Sequence, residues 1–116
     1  MDFDRYTVTL LLKREDAPRL DESEEAALQD AHMAHLAGLA EQGHLLAAGP
    51  LFDERYRGLS ILNVPPDEAR ALKEADPAVQ AGVYSVLAMA WMLPAGAMSF
   101  SRIRFPRSVA EANNDS

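Results

Sequence analysis

The sequence predicts an α+β fold, an antiparallel sheet with helices on one face. Three observations carry that prediction. Short β-branched and aliphatic runs alternate with helical periodicity in the order β-α-β-β-α-β. Glycine, proline or a capping residue stands at each change of element. The last strong strand is apolar on both sides. This order closes into a ferredoxin-like sandwich, with an extra strand expected at the C-terminal end.

The first strand is Tyr6–Lys13, with Val8, Leu10 and Leu12 on one face and Thr7, Thr9 and Leu11 on the other. Pro18 and its charged neighbours make a loop. Asp21 starts the first helix, because its carboxylate can accept from exposed amides while Glu24 reaches back. Glu22, Glu24 and Glu25 suit the positive end of the helix dipole, so this acidic cluster is a helix start without chemistry of its own. Gly43 ends the helix.

Leu45–Ala48 is a short strand running into Gly49-Pro50-Leu51. Asp53–Arg57 is a polar loop, and Gly58–Val64 is the next strand. Pro65-Pro66 breaks it, and Asp67–Ala75 is an amphipathic helix with Ala69, Leu72 and Ala75 inward. Asp76-Pro77 reads as N-cap and first residue of a one-turn helix, closed by Gly82. Val83–Met92 is the two-sided strand: Val83, Leu87, Met89 and Trp91 share one face, Val86, Ala88, Ala90 and Met92 the other. With helices for one sheet face only, the open face needs a partner, and a homodimer is expected. Pro94 and Gly96 turn the chain, and Met98–Phe105 is expected to form the extra strand. The reading is thus one domain over residues 1–105 and a polar, frayed tail over 106–116.

Composition narrows function. The chain has 116 residues, 48% of them apolar, and no cysteine, so disulfides, thiolate nucleophiles and cysteine metal sites are excluded. The net charge of −7 and the lack of a basic patch beyond Arg102, Arg104 and Arg107 argue against nucleic acid and against an anionic membrane surface. The start MDFDRYTV lacks the pattern of a signal peptide, and the apolar run Val83–Leu93 is too short to span a bilayer. A soluble, cytoplasmic protein is expected. No phosphate loop, serine elbow or flavin signature occurs, and no cofactor is expected.

The unusual feature is a pair of histidines. His32 and His35 lie on the same helical stripe as Leu28, Leu36 and Leu39, away from Asp30 and Glu41. Imidazole on an inward face is either a packed residue bonded to a carbonyl or a proton-transfer group. A metal is not expected, since zinc-binding helical pairs sit at i, i+4 and no third ligand is evident. Ser60, Tyr84 and Trp91 read as sheet and core residues rather than reactants.

His35-Leu36, Gly43-His44-Leu45-Leu46, Ala48-Gly49-Pro50-Leu51, Glu74-Ala75-Asp76-Pro77 and Ala81-Gly82-Val83-Tyr84, with Trp91, together resemble the YciI-like (YCII-related) domain across residues 6–92. The resemblance implies a dimeric α/β barrel in which two ferredoxin-like sheets pack face to face. It also implies a small enzyme, since the family includes a dehydrochlorinase acting on a chlorinated hydroxyquinol. The family's histidine–aspartate pair maps onto His35 and Asp76. Some members carry arginine three residues before the histidine, where this chain has His32.

The expectation is therefore a cofactor-free enzyme of lyase, isomerase or dehydrochlorinase type acting on a small organic substrate. His35 would transfer the proton and Asp76 orient it, with His32, Gly49, Pro50, Leu51 and Trp91 shaping the substrate cleft. Cofactor-independent oxygenation, which related barrels support, is a further reading. A non-catalytic ligand-binding or accessory dimer using the same cleft is the alternative.

Overall fold

Two long strands, β1 (Phe3–Lys13) and β4 (Tyr84–Pro94), lie side by side over their whole length, from Phe3 opposite Pro94 to Lys13 opposite Tyr84. On the other side of β1 lies β3 (Tyr56–Leu62), and beyond it β2 (Leu45–Pro50), giving a four-stranded sheet of order β2-β3-β1-β4 with every pair antiparallel. This is the ferredoxin-like arrangement. The computed structural model describes residues 1–114.

The helices are α1 (Glu22–Glu41), α2 (Pro66–Glu74), the single turn α3 (Pro77–Gln80) and α4 (Val109–Asn114). Helix α1 begins as its sequence requires. The Glu24 amide donates to Asp21 Oδ1 at 2.8 Å, and the Asp21 amide donates to Glu24 Oε1 at 3.2 Å. It ends at Gly43, whose φ of 84° is the left-handed conformation that glycine takes without a Cβ clash. Helix α2 starts one residue earlier than expected, because Pro66 fits the first helical position, where an amide would go unused.

The core lies between helices and sheet. Leu39 of α1, Leu45 of β2, Leu62 of β3 and Ala69 of α2 are buried together, flanked by Leu36, Ala40, Ala48, Val64, Leu72 and Phe105. Thr7 and Thr9 point into the same layer, and Thr7 Oγ1 donates to the Val64 carbonyl at 2.6 Å, tying β1 to the start of α2's connection. The opposite sheet face is open. Leu87, Met89 and Trp91 on β4 keep 41%, 44% and 38% of their surface exposed, beside half-buried Tyr6, Val8 and Leu10 on β1.

The expected strand at Met98–Phe105 does not form. This segment is held by side chains instead of a ladder: Phe100 meets the Tyr6 ring edge-on at 5.4 Å, and Phe105 joins the core cluster. The segment expected to fray continues into α4, which packs on α1. The Val109 amide donates to Asp30 Oδ1 at 2.9 Å, and Arg107 pairs with Glu41. Asp115 and Ser116, the end of the expected tail, lie outside the described residues.

Candidate functional site

Helix α1 runs past α3, and this crossing brings His32 to Asp76. His32 Nδ1 donates to Asp76 Oδ2 at 2.5 Å. Asp76 is the N-cap of α3, and its other oxygen, Oδ1, accepts from the Ala78 amide at 2.9 Å. One carboxylate therefore caps a helix and holds an imidazole. Pro77 makes this geometry rigid, since its ring fixes the backbone right after the cap.

Asp76 has no exposed surface. Burial raises its pKa, but the hydrogen bond and charge of His32, the Ala78 amide and the charge of Lys73 outweigh burial and hold the carboxyl below the usual aspartate range. Asp76 is thus a carboxylate at neutral pH. A carboxylate only accepts, so the proton of the short bond belongs to His32 Nδ1. The other ring nitrogen, Nε2, has no hydrogen-bond partner among the described residues.

His35, expected to pair with Asp76, is placed elsewhere. Its Nε2 donates to the Leu72 carbonyl at 2.9 Å, so it ties α1 to α2. A histidine three residues on from His32 lies a little less than one turn further along the helix, and that offset puts it against α2 instead of α3. The structure thus brings together His32 and Asp76, and gives His35 the packed role.

A cavity of about 540 Å³ opens beside His32, between α1 and the β2–β3 side of the sheet. Gly49, Pro50, Leu51, Ser60 and Tyr84 line it. Trp91 does not. It pairs with Tyr6, one strand position out of phase with Thr9 and Ser60, and so lies on the open face of the sheet. Met33, Leu36 and Phe105 give the cavity an apolar wall.

Sequence reasoning missed Lys73. It is fully buried on α2, lines the cavity, and donates from Nζ to Ser60 Oγ at 3.2 Å. Burial lowers its pKa to about 8, against the opposing pull of the Asp76 charge. A signal was available. Ala69, Leu72 and Lys73 follow the i, i+3, i+4 pattern, so the inward stripe of α2 carries a lysine. Among the described residues no cluster of three or more His, Cys, Asp or Glu side chains is arranged to hold a metal, and no helix is long and apolar enough to cross a membrane.

The sheet order, with its helices on one face, describes a small α+β protein of the ferredoxin-like type, with a histidine–aspartate pair beside its cavity. The chain belongs to the YCII-related domain family, whose model matches residues 7–92. Among solved structures it is similar to 5-chloro-2-hydroxyhydroquinone dehydrochlorinase (TftG) from Burkholderia phenoliruptrix AC1100 in complex with 2,5-dihydroxybenzoquinone. The two share 20% sequence identity and a TM-score of 0.52, over 74% of this chain and 92% of that one. No curated protein sequence matches.

Proposed function

We propose that the protein is a small enzyme that transfers a proton on a small organic substrate, with His32 as the acid–base residue and Asp76 as its orienter. The observation that carries this reading is the 2.5 Å bond from His32 Nδ1 to a buried carboxylate, which leaves Nε2 unpartnered on a residue lining the cavity. In the forward step Nε2 takes a proton from a substrate carbon or hydroxyl. The imidazolium so formed is stabilised by Asp76. The proton then returns to a different substrate atom in an isomerisation, or leaves with the departing group in an elimination such as dehydrochlorination. The similar dehydrochlorinase supports this class of reaction at the level of fold.

The open sheet face supports a homodimer, because Leu87, Met89 and Trp91 form an apolar band that the helices do not cover. Two such faces packed together would form the proposed dimeric barrel. The absence of cysteine suits a reducing compartment, and the cytoplasm is proposed on that ground.

The test uses 5-chloro-2-hydroxyhydroquinone and its unchlorinated analogue in D₂O, reading chloride release and enzyme-dependent deuterium uptake. Wild type should accelerate one or both. His32→Gln should lose about 10²–10⁴-fold in rate, the span of a general acid–base contribution, whereas His35→Gln should keep most of it. Loss confined to His35→Gln would return the role to His35. Binding of these compounds with no chemistry would support a binding module instead.

A further inference from the structure

Lys73 is a buried cation that proton transfer by His32 leaves unused. Its Nζ has three donor hydrogens and, among the described residues, one acceptor, Ser60 Oγ at 3.2 Å. No carboxylate accepts from it among the described residues. Asp76, close enough to act on its charge, is bonded through one oxygen to Ala78 and through the other to His32. Thr9 stands opposite Ser60 in the β1–β3 ladder, and its buried Oγ1 has no partner among the described residues. The polar patch behind the cavity is therefore under-satisfied. An ammonium sealed from water with one neutral hydroxyl is costly unless a further acceptor arrives. Lys73, Ser60 and His32 all border the same cavity, so that acceptor has a place to sit once the side chains covering Nζ give way.

We propose that the cavity holds an oxyanion site, in which Lys73 Nζ and Ser60 Oγ receive the ionised oxygen of a small carboxylate, enolate or phenolate. This rests on the proton-transfer reading and names its substrate class, a weak organic acid. With His32 neutral, the charges of Lys73 and Asp76 cancel, and one ligand anion is stabilised by direct contact with Lys73. When His32 removes a proton from a carbon next to a carbonyl, the negative charge moves to oxygen, and a fixed ammonium at that oxygen stabilises the enolate more than the ketone. Burial lowers the Lys73 pKa only to about 8, so the amine stays mainly protonated at neutral pH.

Titration of ¹⁵N-labelled protein at pH 7 with benzoate, 4-nitrophenolate and the neutral isostere benzamide tests the site. At least one anion should bind and shift the Ser60, Lys73 and His32 amides, with benzamide at least tenfold weaker. The arm that binds distinguishes carboxylate from phenolate. Lys73→Met, similar in shape and uncharged, should weaken the anion tenfold or more, and Ser60→Ala should weaken it less. The shifts in wild type keep the test open if a variant misfolds. Equal binding of benzoate and benzamide, unchanged affinity in a folded Lys73→Met, shifts confined to other surfaces, or no anion binding at all would overturn the proposal. The titration reads binding and not turnover. Anion binding with no deuterium uptake would sink only the acid–base reading, and uptake with no anion binding only this one.

Discussion

Asp76 and His32, one at the start of a four-residue helix and the other in the middle of the longest, meet through a 2.5 Å hydrogen bond although 44 positions separate them. The carboxylate has a second task in capping α3, so local folding and site geometry depend on the same side chain. Substitutions at Asp76 should separate the two tasks.

Asp76→Asn keeps an oxygen for the Ala78 amide but loses the negative charge beside His32 and Lys73. Activity should fall at least a hundredfold, because an amide does not enforce the Nδ1-protonated ring. Asp76→Ala should lose the cap too, costing about 1 kcal/mol more. Urea denaturation of both variants checks the order.

The same carboxylate shapes the acid limb. Its folded pKa lies below the ordinary 3.8, so the unfolded chain takes up its proton first as pH falls. Its contribution to stability is complete above the unfolded value and is lost as pH drops through the lowered folded one. Wild type should therefore lose stability relative to Asp76→Asn below about pH 4. Parallel curves for the two proteins would contradict the shift.

Lys73 sets the alkaline counterpart. Its pKa is lowered from 10.5 to about 8, so between those values the folded protein has released a proton that the unfolded chain still holds. Stability must rise with pH across that window. Relative to Lys73→Met, wild type should gain on the order of 3 kcal/mol between pH 8 and 10.5. Denaturation of both proteins at the two ends of the window checks it, and an unchanged difference would contradict the burial of a charged amine.

Leu87→Asp places a charge in the apolar band of the open face. A stable dimer interface buries roughly 1,600 Å², and this substitution should give monomers by analytical ultracentrifugation, with a lower Tm. A wild-type protein that is a folded monomer at micromolar concentration would contradict the dimer.

Deleting residues 107–116 removes the Arg107–Glu41 pair and the Val109–Asp30 bond. Both are exposed, and together they are worth about 1 kcal/mol or less. Phe105→Ala removes an aromatic ring from the core cluster and should cost about 2 kcal/mol or more. A deletion that lowers the Tm further than Phe105→Ala would show that α4 carries more of the fold.

Much of this was legible because the signals were local. The Asp21 box, the Gly43 stop, the Asp76-Pro77 cap and the strand alternation each depend on residues within a few positions. The choice between His32 and His35 was not local. Both face inward, and only the packing of α1 across α2 and α3 decides which one meets the carboxylate. Lys73 was hidden by its type, since lysine on a short helix reads as solvent-facing until its stripe is compared with Ala69 and Leu72. Alternation groups Trp91 with Leu87 and Met89 without saying which face the helices cover, and packing puts all three on the open face. Met98–Phe105 has strand-like composition, and the contacts of Phe100 and Phe105 overrode it.

His32 carries its proton on Nδ1, towards Asp76, and the proposed chemistry uses Nε2. Long-range ¹H–¹⁵N correlation at a pH where both rings are neutral reads this directly. His32 should be the Nδ1–H tautomer and His35 the opposite Nε2–H tautomer, with the His32 preference weakened in Asp76→Asn and His35 unmoved. His32 found as Nε2–H, or His35 responding to the Asp76 substitution while His32 does not, would contradict the central pair.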